Sequence, residues 1–309
     1  MLDTDLSLGE PGSEVDDGFA LALALADPGI DLAAVTTVYG NTDLSSVTTL
    51  TLDLLHRLGA AGVPVHAGAD RPLLRPGPPP GRVPAGTPVR APASTRAAAV
   101  LVDVVRSAPG AVTVVAIGPL TNVALAARLD PGFAADVGRL VVMGGTYLSP
   151  APRAGMPGEF NVWNDPEALR IVLDAGLVPD LVGLDVTLRV RLTRERAREM
   201  AADGRPFPAF AGEHALAWID RLERDGEERG GSCALHDPLA VAVVTRPDLV
   251  VWRDAHVVVS TDDALRGAVL ADLAPAPDGG DGPRRNARVA VDVDPAAFTE
   301  HFTACLARG

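Results

Sequence analysis

The feature that most limits what this chain can become is an alternation that starts at its first residues. Met1-Leu2 runs into Asp3-Thr4-Asp5, a Gly/Pro/Ser loop follows, and Asp16-Asp17 then leads into strong helix formers from Gly18 to Ala26. Asp27-Pro28-Gly29 is a stop signal. Ile30 to Val38 reads as a buried strand ending in Tyr39-Gly40-Asn41, Leu44 to Leu58 as a helix, and Val63 to Ala67 as a short strand. This β-α-β-α-β order predicts an α/β fold, an open and mostly parallel sheet with helices on both faces, expected as one domain over residues 1–309.

The pattern continues downstream. Helices are expected over Thr95–Arg106, from the Gly118-Pro119-Leu120-Thr121-Asn122 turn to Leu129, and after Asp165-Pro166-Glu167, where Asp suits an N-cap and Pro the first turn. Others are expected over Leu192–Asp203 and Phe210–Arg224, from His236-Asp237-Pro238 to Val244, and over Pro295–Ala307. Strands are expected over Ala111–Ile117, Arg139–Met143, Leu181–Val186, Ala255–Ser260 and Ala287–Val293. Arg71 to Ser94 is too rich in Pro and Gly for regular structure and is expected as a surface loop.

Composition removes several functions. The net charge of −13 argues against nucleic acid as a partner, since phosphate backbones need a basic surface. Every basic residue apart from the histidines is arginine, which excludes Schiff-base chemistry and a phosphate-loop lysine. Cys233 and Cys305 are too few for a disulfide framework. No apolar run is long enough to span a bilayer and no signal peptide is visible, so no membrane partner and a cytoplasmic location are expected.

The polar residues gather at the exits of strands. Asp3, Asp5, Asp16 and Asp17 lie between a strand and a helix with no basic residue beside them in sequence. Carboxylates this close repel unless a cation lies between them, and a hard divalent ion prefers oxygen ligands. The alternative is that Asp16 or Asp17 caps the helix. Asn41, the Gly118–Asn122 turn and the loop after Met143 are expected at the same sheet edge, with His236 and Asp237 at a helix start facing it. Such a cleft suits a polyhydroxylated ligand.

These blocks resemble the inosine-uridine preferring nucleoside hydrolases. The resemblance rests on Asp3-Thr4-Asp5 with Asp16-Asp17, Val35-Thr36-Thr37 with Gly40-Asn41, and Pro64-Val65-His66-Ala67-Gly68-Ala69. It continues through Gly118-Pro119-Leu120-Thr121-Asn122, Met143-Gly144-Gly145, Glu159-Phe160-Asn161, Asp165-Pro166-Glu167, His236-Asp237-Pro238-Leu239-Ala240 and Asn286-Ala287-Arg288-Val289, in the family's order over nearly the whole chain. It implies a tightly held Ca²⁺ and hydrolysis of the N-glycosidic bond of ribonucleosides. Asp5, Asp17, Asp237 and the backbone carbonyl of Ile117 resemble the calcium ligands, and Asp5 also the general base toward the attacking water. Asp16, Asn41, Glu159 and Asn161 resemble the ribose contacts, and His236 the group that protonates the leaving base. A homo-oligomer, dimer or tetramer, is implied as well.

Several positions depart from that pattern. Leu6 to Val15 lengthens the first loop, and an outward bulge is expected to keep both ends at the metal. The Pro/Gly segment replaces a histidine-bearing loop, and Asp225 to Ser232 has no aromatic to stack on a base. Arg153 stands six residues before Glu159, where an amide is common, and raises the alternative of a 5-modified ribosyl substrate. Two rivals remain: a phosphatase of the haloacid dehalogenase type, which its missing lysine disfavours, and a calcium- and ribose-binding protein with weak hydrolase activity.

Overall fold

The computed structural model describes residues 1–149, 155–227, 230–274 and 284–308. Its frame is a sheet built from β1 (Leu2–Thr4), β2 (Val35–Thr37), β3 (Val65–Ala67), β4 (Thr113–Ala116), β5 (Arg139–Met143), β6 (Asp180–Val182), β9 (Val250–Val259), β10 (Val269–Asp272) and β11 (Ala287–Val293). These nine strands lie in the order β10-β9-β11-β6-β5-β4-β1-β2-β3. Seven run parallel, from β3 through β1 and β4 to β11, while β9 and β10 add antiparallel strands at one edge. A separate ribbon pairs β7 (Arg191–Thr193) with β8 (Ser232–Ala234).

The helices cover both faces. On one, α1 (Asp16–Ala26) packs against α11 (His236–Thr245) and α12 (Pro295–Leu306), around a core holding Phe19, Leu239 and Phe298. On the other, α3 (Ala97–Ser107), α4 (Thr121–Leu129) and α7 (Pro166–Asp174) enclose Leu101, Val123 and Leu169. The remaining helices are α2 (Leu44–Arg57), α5 (Phe133–Asp136), α6 (Phe160–Asn164), α8 (Leu184–Thr187), α9 (Arg194–Ala201) and α10 (Pro206–Arg224). Asp165 caps α7 by accepting from Ala168 N, with Pro166 in the first turn, as its sequence predicts.

The chain leaves β1 toward β2 on one side and returns to β4 on the other, so strand order reverses between β1 and β4. Above such a reversal the carboxyl ends of the two strands splay apart, and open α/β sheets bind ligands there. Asp5 follows β1 and Ile117 follows β4.

Some expectations change in three dimensions. The strand read over Ile30–Val38 shortens to Val35–Thr37, because its partner β1 offers only Leu2 to Thr4. The strand read over Leu181–Val186 stops at Val182; Gly183 turns the chain where a Cβ would lie 2.7 Å from the Tyr147 ring, and α8 begins. Thr193 caps α9, so Leu192 belongs to β7 rather than to a helix. Residues 71–93 form no helix or strand, with Leu74 and Val89 exposed, as expected of a surface loop.

The first loop does not bulge outward. Leu6, Leu8 and Val15 are buried in the core, and Leu8 sits on α1 so closely that a Cβ at Gly18 would be 2.2 Å from it. The Ser13 hydroxyl donates to Ser7 O at 2.6 Å and the Ser7 hydroxyl to Glu14 O at 3.1 Å, closing the loop on itself. Its tip is tied to α10 by Arg221, which donates to Gly12 O at 2.9 Å.

Candidate functional site

A cavity of about 710 Å³ opens above the reversal. Asp5, Asp16, Asn41, Ile117, Glu159, Asn161, His236 and Asp237 all line it. Asp17 lies just beneath: its Oδ1 accepts from the Thr4 hydroxyl at 2.5 Å and its Oδ2 from Asn41 Nδ2 at 3.0 Å. Asn41 also donates its backbone amide to Asp5 Oδ2 at 2.8 Å, so one residue holds two carboxylates in register. Two glycines make this packing possible. A Cβ at Gly40 would lie 1.9 Å from Asp5 Oδ2, and one at Gly118 would lie 2.7 Å from Asp5 Oδ1.

From the other side α11 brings Asp237, whose backbone amide donates to Asp16 Oδ2 at 3.2 Å. Carboxylate oxygens of Asp16, Asp17 and Asp237 all lie within 4.8 Å of one another. The N-cap of α1 is Val15, so Asp16 and Asp17 occupy the first turn and neither acts as the cap. Burial, then the charge of Asp17, pushes Asp5 well above the usual carboxylate range. Burial also raises Asp16, and burial with Asp16 raises Asp17. Asp237 is raised by burial, then by Asp16, Asp17, Asp5 and Glu14. Among the described residues no basic side chain figures in the main causes of these shifts. An all-oxygen, buried, anionic set of this kind fits a hard divalent cation, and Asp16, Asp17 and Asp237 are the carboxylates whose oxygens lie close enough to share one, with Asp5 beside them in the cavity wall.

The amide and glutamate are more occupied than their sequence suggests. Glu159 caps α6, accepting from Asn161 N at 2.8 Å, Val162 N at 3.2 Å and Gly145 N at 2.9 Å. Asn161 Nδ2 donates to Ile117 O at 2.9 Å and to Met143 O at 3.3 Å, fixing the carbonyl at the exit of β4. His236 Nδ1 pairs with the Thr187 hydroxyl at 2.7 Å, and burial followed by the Arg191 charge lowers its pKa to about 4. Asp3 points away, into the sheet, where Asn122 and Thr36 donate to its Oδ1 at 2.8 and 2.5 Å. The Gly118–Asn122 turn therefore serves the frame rather than a ligand.

Among the residues lining the cavity, Glu14, Trp218 and Arg221 bring charge or an aromatic ring that was not expected. Glu14, from the lengthened loop, brings a further carboxylate to the cavity. Trp218 of α10 supplies the aromatic that Asp225–Ser232 lacks, with the Arg221 guanidinium 5.5 Å from its ring centre. The spacing of Trp218 and Arg221, three apart on one helix, was the signal available in the sequence. Arg153 lies outside the described residues.

Fold and cavity together define an open α/β protein whose carboxylates meet at the reversal of its sheet. The family model for inosine-uridine preferring nucleoside hydrolases matches residues 1–300, and the chain belongs to that family. It is 35% identical over 312 residues to the non-specific ribonucleoside hydrolase RihC of Salmonella enteritidis, covering 97% of this chain and 94% of that protein. It is 31% identical to the probable uridine nucleosidase 1 of Oryza sativa subsp. japonica, over 88% of this chain and 84% of that one. Among solved structures, the plant nucleoside hydrolase PpNRh1 superposes with a TM-score of 0.85 at 27% identity, covering 99% of this chain and 97% of its own. The chain is thus a hydrolase of N-glycosyl bonds. Among the described residues no helix is long and apolar enough to cross a membrane.

Proposed function

We propose that the protein hydrolyses the N-glycosidic bond of ribonucleosides with Ca²⁺ in the carboxylate cluster, releasing ribose and a free base. The observation that carries this reading is the convergence of Asp5, Asp16, Asp17 and Asp237 at the reversal of the sheet, in a chain of this family.

The chemistry a bound calcium supplies is positive charge, which keeps the carboxylates ionised and acidifies the attacking water. Asp5 takes the proton of that water. As the bond from C1′ to the base breaks, positive charge builds on the sugar ring, and Asp16 and Glu159, which line the same cavity, stabilise that charge where it develops. Asn41, Asn161 and Asp16 orient the ribose hydroxyls, an arrangement that strengthens as the ring flattens. Asn41 and Asn161 reach this role from the bonds they make to Asp17 and Ile117 O, so each positions the metal ligands and the sugar together.

The departing base leaves as a neutral molecule if it is protonated and as a stabilised anion if it accepts a hydrogen bond, and a neutral His236 offers it the second. Thr187 occupies Nδ1 of His236, which leaves Nε2 for the base. Trp218 offers a face for the heterocycle. The relatives' names divide among uridine, non-specific and, for the Gardnerella vaginalis enzyme, purine-preferring ribonucleoside hydrolases, so no single base is proposed. A homo-oligomer, cytoplasmic, completes the proposal; light scattering reads the first.

A panel of purine and pyrimidine ribonucleosides, assayed for released base and reducing sugar with calcium present, tests the reading. Turnover of at least one, about one calcium per chain, and loss of both in Asp17→Ala and Asp237→Ala are expected. Binding of ribosides without turnover would favour the binding-protein alternative, and full activity in a metal-free sample would remove calcium from the reaction.

A further inference from the structure

At the opposite end of α1 from the carboxylate cluster, Asp27 ends the helix, and α12 presents His301 and Cys305 on consecutive turns. Asp27 Oδ2 lies 3.2 Å from His301 Nε2. Cys305 Sγ lies 3.9 Å from Nε2 and 4.0 Å from Nδ1 of the same ring. One ligand atom from each of the three residues lies within 4.8 Å of the other two. Asp27 and Cys305 are buried, and the His301 side chain is 13% exposed. The Asp27 carboxylate is held in place from outside the trio: Oδ1 accepts from Gly29 N at 2.9 Å and Oδ2 from the Thr245 hydroxyl at 2.6 Å. Such supporting bonds are what orient a carboxylate that ligates a metal.

The geometry points to a second metal site, of the zinc class, formed by Asp27, His301 and Cys305 with water completing a tetrahedron. With bonds of about 2.0–2.1 Å to oxygen and nitrogen and about 2.3 Å to sulfur, the tetrahedral edges are roughly 3.3 Å between N and O and roughly 3.6 Å between N and S. The first is already met; Sγ sits nearly level with both ring nitrogens, 3.9 Å from Nε2 and 4.0 Å from Nδ1, so sharing an ion at Nε2 takes a rotation of the Cys305 side chain that carries Sγ roughly 1 Å farther from Nδ1. A His301–Asp27 ion pair accounts for two of the three groups, and the four-residue spacing on α12 brings the thiol beside the same ring; what a metal adds is one partner shared by all three. Imidazole and thiolate select zinc-like ions, whereas the all-oxygen cluster at the other end of α1 selects calcium, so the two sites take different metals. With eleven residues from Asp16 to Asp27 at about 1.5 Å each, they lie roughly 16 Å apart along the helix.

Binding is balanced simply. The Cys305 thiol gives its proton to solvent, the S–Zn bond forms, and the ion sheds the waters that the three ligands replace. The thiolate and the Asp27 carboxylate then neutralise the dication. Burial and the Asp27 charge raise the Cys305 thiol, so without metal it stays protonated. The ion would fasten the terminal helix to α1 without touching the cavity.

The test titrates chelator-stripped full-length protein with Zn²⁺ against a chromogenic zinc indicator, in saturating calcium so that the oxygen cluster is filled. One zinc per chain is expected, weakened at least about tenfold in His301→Ala and in Cys305→Ser, and retained in Asp17→Ala. Cobalt in place of zinc should give a near-ultraviolet thiolate charge-transfer band that Cys305→Ser loses. Zinc should raise the melting temperature of the wild type but not of His301→Ala, while nucleoside turnover in that variant stays unchanged. Zinc uptake equal in wild type and His301→Ala, or a cobalt spectrum without the thiolate band, would overturn the assignment. His301 is partly exposed, so its alanine variant carries the comparison even if Cys305→Ser does not fold.

Discussion

Replacing Asp237 by asparagine should raise the stability of the metal-free protein and lower that of the calcium-loaded one. The side chain keeps its size, and the bond between residue 237 and Asp16 runs through the backbone amide, so it survives. What changes is one buried negative charge within 4.8 Å of carboxylate oxygens on both Asp16 and Asp17. At an effective dielectric constant of about 20, like charges at that separation repel by roughly 3 kcal/mol. Relief of about one such interaction, at roughly 2–4 °C per kcal/mol for a domain somewhat smaller than this, raises the metal-free melting temperature by roughly 6–12 °C at pH 8. The sign with pH follows from the raised carboxyl values of Asp5, Asp16, Asp17 and Asp237. A carboxyl raised on folding favours the fold when protonated, so metal-free stability falls as pH rises from about 4, the unfolded value, through the raised folded values. Of the other groups near Asp237, Glu14 adds to the repulsion, while His236, lowered to about 4, stays neutral across that window. The advantage of the variant should therefore shrink toward pH 5. Calcium reverses the order once it stands at about one thousand times its Kd, where it adds roughly 4.1 kcal/mol to the wild type, more than the repulsion relieved, and the variant loses most of that gain. Thermal unfolding at pH 5 and 8, with chelator and with calcium, reads all four corners. A metal-free variant no more stable than wild type at pH 8, or one with an undiminished calcium gain, would refute the argument.

Gly40→Ala should abolish turnover and calcium binding while leaving the circular dichroism spectrum intact, since its Cβ would fall 1.9 Å from Asp5 Oδ2; an active variant would mean that Asp5 can move without consequence. His236→Ala should slow substrates whose base needs a hydrogen bond or a proton to leave by roughly 10²- to 10⁴-fold and barely affect p-nitrophenyl riboside. Equal losses on both would make His236 structural. Trp218→Ala should raise KM roughly 2- to 10-fold with a smaller change in kcat, as loss of about 0.5–1.5 kcal/mol of stacking implies; an unchanged KM would take the base away from this ring.

The parallel sheet was readable because its strands end in turn signals and helices such as α2, α7 and α12 begin with a cap or a proline, and neither depends on distant contacts. The ribbon of β7 and β8 and the edge strand β10 were not, because strands of three or four residues take their identity from a partner far away in the chain. The carboxylates were legible for the opposite reason: Asp5, Asp16, Asp17 and Asp237 are worth burying together only if something positive joins them, and that can be argued from residue types. The glycines opposite Asp5 could not be assigned, since nothing local in Gly40-Asn41 or Gly118-Pro119 says which carboxylate lies over them.

The lengthened first loop shows where reading by pattern stops. Its glycines and serines suggest a segment extruded into solvent, but its apolar residues decide otherwise. Leu6 and Leu8 alternate with Ser7, so one face of a short extended stretch can enter the core while Ser7 turns to bond Glu14 O. Val15 anchors the return. Closing a loop costs little more when it is long than when it is short, and burying two leucines and a valine offsets that cost several times over. The loop is thus held at both ends, Asp5 and Asp16 both line the cavity on either side of it, and the extra length carries Glu14 into the cavity wall as well.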